Sequence, residues 1–236
     1  ICITGPVFDQ VRNKIDELLS GPKAVGVQVK FWGTRGSVPS PGPKTQRYGG
    51  NTPCTELRVG EERFIIDAGT GLRELGNEMT AEATGKAASA HLFIGHTHWD
   101  HIQGLPFFTP AYMPQNRFTL YGVHGTTQTF AEVLRGQMNP TYFPIEMRDM
   151  AARMDIAELS GPVKLGDVKV SYHFLNHPGI TVGFRFETAR GVVCYLSDHE
   201  PYGRLNNKGQ FSAKEDADVA RFVYGADLLI SEAQYS

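Results

Sequence analysis

A chain of 236 residues, 41% apolar and 20% charged, has the material for one sizeable core, and that balance excludes a disordered tail or a low-complexity spacer. A formal net charge of -2 at pH 7 gives no bulk attraction to nucleic acid and favours small substrates, a local basic patch aside. No apolar run approaches the roughly 18 residues that span a bilayer, the start lacks a signal peptide's basic flank, and Cys2, Cys54 and Cys194 are too scattered for a zinc ribbon or redox pair, so a reducing, cytoplasmic setting with no membrane association is expected.

Residues 1–22 read as a short apolar strand and an amphipathic helix, with Val7, Val11, Ile15, Leu18 and Leu19 at helical spacing and a stop at Gly21-Pro22. They are expected to form an appendage, the remnant of a segment preceding Ile1, with residues 23–236 as the main domain. Alternation at Val25, Val27, Val29 and Phe31, and again over 55–59 and 63–66, predicts an opening meander of strands. Between the first two lies 33–51, rich in Gly, Pro, Ser and basic residues and long for a loop in a compact domain, the kind of loop that is often functional. A helix is predicted over 71–79, a strand over 91–94 that runs into Gly95-His96, a strand over 118–123, a helix over 127–137, and a loop over 139–149 carrying Tyr142 and Phe143. Strands over 168–174, 181–188 and 192–196 follow, then a helix over 213–224 and a buried strand over 227–230. This order predicts two sheets with helices packed outside.

The run Gly95-His96-Thr97-His98-Trp99-Asp100-His101 concentrates three imidazoles and a carboxylate directly after an apolar strand. Neutral imidazole and carboxylate together suit zinc, iron or manganese. In an extended segment His96 and His98 point to the same side and reach one ion, and a turn after them lets Asp100 and His101 face a second. A cluster of structural histidines is the alternative, and such density at a strand end weighs against it. His177 and Asp198 each follow a predicted strand, where a lone His or Ser-Asp pair is more often structural. His199 has substrate contact and support of a ligand as equal readings, whereas His91, His124 and His173 are expected to be structural. In the long loop, Gly33-Thr34-Arg35-Gly36-Ser37 supplies amides, hydroxyls and a guanidinium, the groups that hold phosphate oxygens, with a purely structural turn at even odds.

The H-x-H-x-D-H motif resembles the metallo-β-lactamase-fold superfamily of metal-dependent hydrolases, and the resemblance runs from Val27 to the end, with F-I-I-D-A-G-T-G from Phe64, L-N-H-P from Leu175 and Y-L-S-D from Tyr195 in the family's order. It implies an α/β protein, an αββα sandwich of two mixed sheets with helices on the outer faces. It also implies two divalent ions, zinc foremost with manganese or iron as alternatives, held by His96, His98, Asp100, His101, His177 and Asp198 and braced by Asp67. The nucleophile would be a metal-bridging hydroxide oriented by Asp100, with His199 as the second catalytic candidate. One departure stands out: the family's second ion usually takes a further histidine near the C-terminus, and none follows His199. Glu232-Ala233-Gln234-Tyr235 resembles the segment before that histidine, so a C-terminal truncation or an unusual second site is expected.

An aspartate at 198 resembles the phosphodiesterase and thioesterase branches more than the antibiotic-degrading one. G-T-R-G-S and Y-G-G-N-T are similar to members related to tRNA 3′-processing and cyclic-phosphate enzymes, which assigns Arg35, Ser37 and Asn51 to substrate. A phosphodiesterase acting on a cyclic nucleotide or other small phosphodiester is the first reading. A tRNA 3′-processing-type nuclease is the second, weakened by the low net charge. Thioester or lactone hydrolysis and a non-catalytic, metal-bound sensing module complete the set, and a homodimer is compatible with all of them.

Overall fold

The computed structural model describes residues 26–205 and 209–231. The strand, helix and boundary expected over 1–22 lie outside those residues, as does the 232–235 segment.

Six strands form the first sheet in the order β1 (Val27–Gly33), β2 (Cys54–Val59), β3 (Glu62–Ile66), β4 (Ser89–Phe93), β5 (Arg117–Gly122) and β6 (Arg153–Glu158). The first three pair antiparallel and the last four parallel, so the sheet is mixed. The second sheet contains β7 (Val163–Leu165), β8 (Val168–Phe174), β9 (Val182–Thr188), β10 (Gly191–Leu196) and β11 (Leu228–Ser231), ordered β11-β10-β9-β8-β7, with β10 and β11 parallel and the rest antiparallel. The described α-helices are α1 (Gly71–Ala83), α2 (Trp99–Ile102), α3 (Phe130–Gly136), α4 (Tyr202–Leu205) and α5 (Gln210–Val223).

The period-2 pattern of the strands makes the layers. Phe64 and Ile66 of β3 and Phe93 of β4 point between the sheets, where they meet Phe184 and Phe186 of β9; Phe93 stacks on Tyr121 at 4.7 Å and meets Phe184 edge-on at 5.3 Å. The alternate residues Ile65 and Leu92 face the other way, onto Leu72, Leu75 and Met79 of α1 and Leu134 of α3. On the outside of the second sheet, Leu196 packs with Val219 of α5. Helix, sheet, sheet, helix is therefore the layer order, as expected for an αββα sandwich. Among the described residues no helix is long and apolar enough to cross a membrane.

Strands β6 and β7 were not expected. The first is an edge strand that mixes Arg153, Asp155 and Glu158 with partly buried Met154 and Ile156, so its apolar signal is diluted by the charges that protect a sheet edge. The helix predicted over 127–137 is confined to α3 because Thr129 caps it: its Oγ1 accepts from Glu132 N while the Glu132 carboxylate accepts from Thr129 N. The strand predicted as buried at 227–230 needs correction. It is β11, an edge strand among the described residues, with Leu228 and Leu229 exposed at 40% and 48%.

Candidate metal centre

Four chain segments leave the C-terminal ends of β3, β4, β8 and β10 at one end of the sandwich. The sheets are stitched there by Val182 N donating to Gly95 O at 2.9 Å. Asp67, just after β3, is fully buried and holds a left-handed backbone, φ 62°. Its Oδ1 accepts from Gly95 N at 2.8 Å, and its Oδ2 accepts from Tyr195 Oη at 2.9 Å and lies 2.9 Å from His101 Nδ1. One carboxylate thereby ties the histidine-bearing turn to both sheets. Backbone contacts seat the turn further: Ala68 N donates to His101 O at 2.7 Å and Gly104 N to Ala68 O at 2.8 Å. A Cβ on Gly104 would stand 1.9 Å from Gly69 O, so only glycine permits this approach.

His96, His98, His177 and Asp198 each offer a ligand atom, all within 4.8 Å of one another. His96 Nε2 is 3.7 Å and His177 Nε2 3.5 Å from Asp198 Oδ2, and His177 Nε2 is 3.1 Å from His98 Nδ1. The other carboxylate oxygen, Oδ1, faces His101 Nε2 at 3.7 Å, and that nitrogen is 3.6 Å from Asp100 Oδ2. Asp198 thus turns one oxygen to each of two donor sets. Among the described residues the buried Nε2 atoms of His96 and His101 have no hydrogen-bond partner, a costly condition in a protein interior unless something else takes the lone pair. The opposite ring nitrogens are engaged, His96 Nδ1 by Ser197 Oγ at 3.1 Å and His101 Nδ1 by Asp67, the arrangement that aims Nε2 lone pairs at a cation. The donors therefore fit divalent metal of the zinc class.

Electrostatics agree with that fit at His96 and His177, whereas His101 and Asp198 shift toward their protonated forms. Burial, reinforced by His101, His98 and His177, pushes the His96 imidazole far below the ordinary histidine range, so it is neutral and free to donate a lone pair. Burial also lowers His177, with His98 and His101 adding to it. For His101 burial pulls downward but is outweighed by Asp67, Asp198 and Asp100, which raise it. Burial raises the Asp198 carboxyl against the pull of His101, and the nearby Asp100 and Asp67 carboxylates add to the rise. Metal binding would have to displace protons at His101.

The long loop reaches the same place. Ser37, at φ 70°, donates its amide to Asp100 Oδ2 at 2.7 Å, and Thr34, Arg35 and Ser37 line a cavity of about 780 Å³ together with His101, Ser197 and Asp198. Asn51 is not on that cavity. Its backbone carbonyl accepts from Thr34 N and Arg35 N at 3.0 and 2.9 Å, and its Oδ1 accepts from Thr70 Oγ1 at 3.1 Å, so it braces the loop from behind. His199 is engaged by the backbone through one ring nitrogen: its Nδ1 accepts from Asn176 N at 3.1 Å, beside His177. His91 stacks on Phe64, His173 on Phe222, and His124 pairs with Glu158, consistent with structural roles. Sequence reasoning missed Tyr195 and Ser197 as supports. Both lie within the Y-L-S-D segment, Tyr195 near the end of β10 and Ser197 just after it, and their place directly before Asp198 was the available signal.

A two-sheet sandwich whose strand ends converge on buried, lone-pair-bearing imidazoles and a shared carboxylate defines a metal-binding α/β domain. Over residues 62–235 the chain matches the family described as beta-lactamase superfamily domain, and it belongs to that superfamily. Ribonuclease Z of Haloarcula marismortui is 27% identical over 129 residues, covering 53% of this chain and 38% of that protein, so the chain spans under two-fifths of this curated relative's length. Among solved structures, the metallo-β-lactamase-fold protein YhfI from Bacillus subtilis superposes with a TM-score of 0.62 at 16% identity, covering 89% of this chain and 72% of that one. A diphosphatase from the PhnP family superposes with a TM-score of 0.56 at 16% identity, covering 86% and 72%. Both structural likenesses show the fold alone.

Proposed function

We propose that the chain is a metal-dependent hydrolase acting on phosphodiesters of small molecules, cyclic nucleotides foremost. The observation that carries this is the Asp198 carboxylate turned between two donor sets on the cavity that the Arg35–Ser37 loop borders. One ion would sit among His96, His98, His177 and Asp198, and a second among Asp100, His101 and Asp198. Zinc, manganese and iron are all accepted by these donor types. Such ions, when bound, supply Lewis acidity and a water acidic enough to attack at neutral pH.

The chain's own groups do the positioning. Asp67 and Ser197 stand against Nδ1 of His101 and His96 as acceptors for a ring proton there, the tautomer in which both Nε2 atoms offer a lone pair to an ion. The Ser37 amide fixes the Asp100 carboxylate through Oδ2, the oxygen that also faces His101 Nε2, and so holds this group in place to orient the attacking water. The Arg35 guanidinium and the loop's amides and hydroxyls are chemically matched to the non-bridging phosphate oxygens, with Asn51 supporting the loop. His199 is proposed to act through Asn176, holding the turn that presents His177.

A second reading, a tRNA 3′-processing-type nuclease, is favoured by the likeness to ribonuclease Z and opposed by the net charge of -2. The test is hydrolysis of bis(p-nitrophenyl) phosphate by protein loaded separately with zinc and manganese, with bound metal quantified and Asp198→Ala as control. Metal-dependent turnover that the control loses is the expected result. Two bound ions without turnover would refute the phosphodiesterase reading, and a pre-tRNA substrate cleaved far faster than any small diester would replace it with the nuclease.

A further inference from the structure

We infer that the second ion and the Arg35 loop are linked through one hydrogen bond, from the Ser37 amide to Asp100, so that loading the ion sets the loop against the cavity and displacing the loop releases the ion. The inference rests on the two-ion reading above and makes Ser37 a positioning residue for that site. The loop between β1 and β2 is a built frame. Asn51 O closes its base by accepting from Thr34 N and Arg35 N, Ser40 N donates to Gly50 O at 2.9 Å, and Thr45 Oγ1 donates to Ser40 O at 2.7 Å. A Cβ on Gly50 would stand 2.3 Å from Ser40 O, so the two limbs close only on glycine. Ser37 stands on this frame with a left-handed backbone, φ 70°, a conformation that a side chain makes costly. Of the other described non-glycine residues with positive φ, Thr84 ends α1 and Asp67 is the buried brace. Strain of this kind persists where the surroundings over-determine it, and at Ser37 it fixes the amide 2.7 Å from Asp100 Oδ2, across 63 residues of sequence.

Asp100 Oδ2 also faces His101 Nε2 at 3.6 Å, so it is the oxygen turned to the second donor set. A carboxylate oxygen carries two lone pairs and can accept the amide while it ligates. The loop holds no donor of the other set in this way: among the described residues no hydrogen bond joins 34–50 to His96, His98 or His177. The sets also differ in size. His96, His98, His177 and Asp198 make the first, whereas the second has only Asp100, His101 and the shared Asp198, so what steadies Asp100 weighs heavily there. Holding a ligand from behind contributes about 10–100-fold to metal affinity. Linkage is reciprocal, so the second ion favours the docked loop by the same factor. Thr34, Arg35 and Ser37 border the cavity with His101 and Asp198, and the wall matched to phosphate oxygens is therefore set in place when the second ion is held.

Zinc titration against a competing chelator and amide hydrogen exchange read by NMR test this together. The four-donor set is expected to fill first. In the wild-type protein the Ser37 and Arg35 amides should exchange about 10-fold more slowly once the second equivalent of zinc is bound, with no such change at the first. The Arg153 amide, bonded to Asn116 O at the opposite edge of the first sheet, is the reference and should not respond to the second equivalent. Ser37→Pro removes the donor and cannot hold φ 70°. It should weaken the second ion about 10-fold, leave the first unchanged and abolish the response of the Arg35 amide. Ser37→Gly keeps the amide and accepts that φ, and should retain both the affinity and the response. Slowing at the first equivalent, slowing at neither, or an Arg35 response that survives in Ser37→Pro would overturn the link, as would failure to bind a second zinc. If Ser37→Pro does not fold, the wild-type exchange still decides. Turnover of bis(p-nitrophenyl) phosphate without the exchange response would sink the link alone, whereas the response without any diester turnover would sink the proposed reaction and leave the link standing.

Discussion

Asp67→Asn isolates what the buried carboxylate does. Asparagine has the same shape and tolerates the φ of 62° better than most residues, so the backbone is retained. The oxygen that accepts from Gly95 N must stay an oxygen, which puts the new NH2 where Oδ2 met Tyr195 Oη and His101 Nδ1. A phenol can rotate to accept. The imidazole can accept only by moving its proton to Nε2, the atom that faces Asp100 and Asp198. Hydrogen bonds to a charged group contribute about 1.5–3 kcal/mol each, and two are exchanged for weaker neutral ones, so a loss of roughly 2–3 kcal/mol in folding stability is expected for the metal-free protein. Disturbing the group behind a ligand histidine should also weaken the ion held through His101 by about 10–100-fold. Urea unfolding read by linear extrapolation gives the first quantity; metal titration with a competing chelator gives the second. Unchanged metal affinity together with a stability change under about 0.5 kcal/mol would refute the assignment of Asp67 as the brace of His101.

Three further outcomes follow from the same geometry. Ser197→Ala removes the oxygen 3.1 Å from His96 Nδ1 and should weaken the ion among His96, His98, His177 and Asp198 by about 10-fold while leaving the ion at His101 in place, checked by metal stoichiometry at limiting zinc. Gly104→Ala drives a methyl into Gly69 O at 1.9 Å and should cost about 1–3 kcal/mol in urea unfolding, with Gly136→Ala, where a Cβ meets nothing within 4 Å, as the tolerated control. Glu82 is partly buried, which raises its carboxyl, but bonds from Arg58 and Arg63 outweigh this and hold it below the ordinary 4.5. A depressed folded-state pKa contributes stability above the unfolded value that is lost as pH falls through the folded one. Because Glu82 is substantially exposed the contribution is about 0.5–1 kcal/mol, and Glu82→Gln should lose it at neutral pH and match wild type well below pH 4.5 in paired urea titrations.

The candidate donors that the fold gathers were legible in the sequence because ligand chemistry is local. A neutral imidazole or a carboxylate at a strand end can be read one residue at a time, and the run from His96 to His101 packs four donors into a single turn. The layer order was legible for a similar reason, since the continuous apolar runs Phe64-Ile65-Ile66 and Leu92-Phe93-Ile94 mark strands buried on both faces. What tertiary structure decided is which side of each residue does the work. Asn51 and His199 carry the right chemistry for substrate, yet Thr70 Oγ1 donates to the Asn51 side-chain oxygen and the Asn176 amide to His199 Nδ1, and nothing in their own neighbourhood of sequence announces that. Tyr195 and Ser197 reach Asp67 and His96 across 128 and 101 residues, contacts that exist only once the two sheets are stacked. The edge position of β11 is decided in the same way: Leu228-Leu229-Ile230 reads as a buried strand, but burial is a property of the neighbours on both sides, and among the described residues β10 is its only partner.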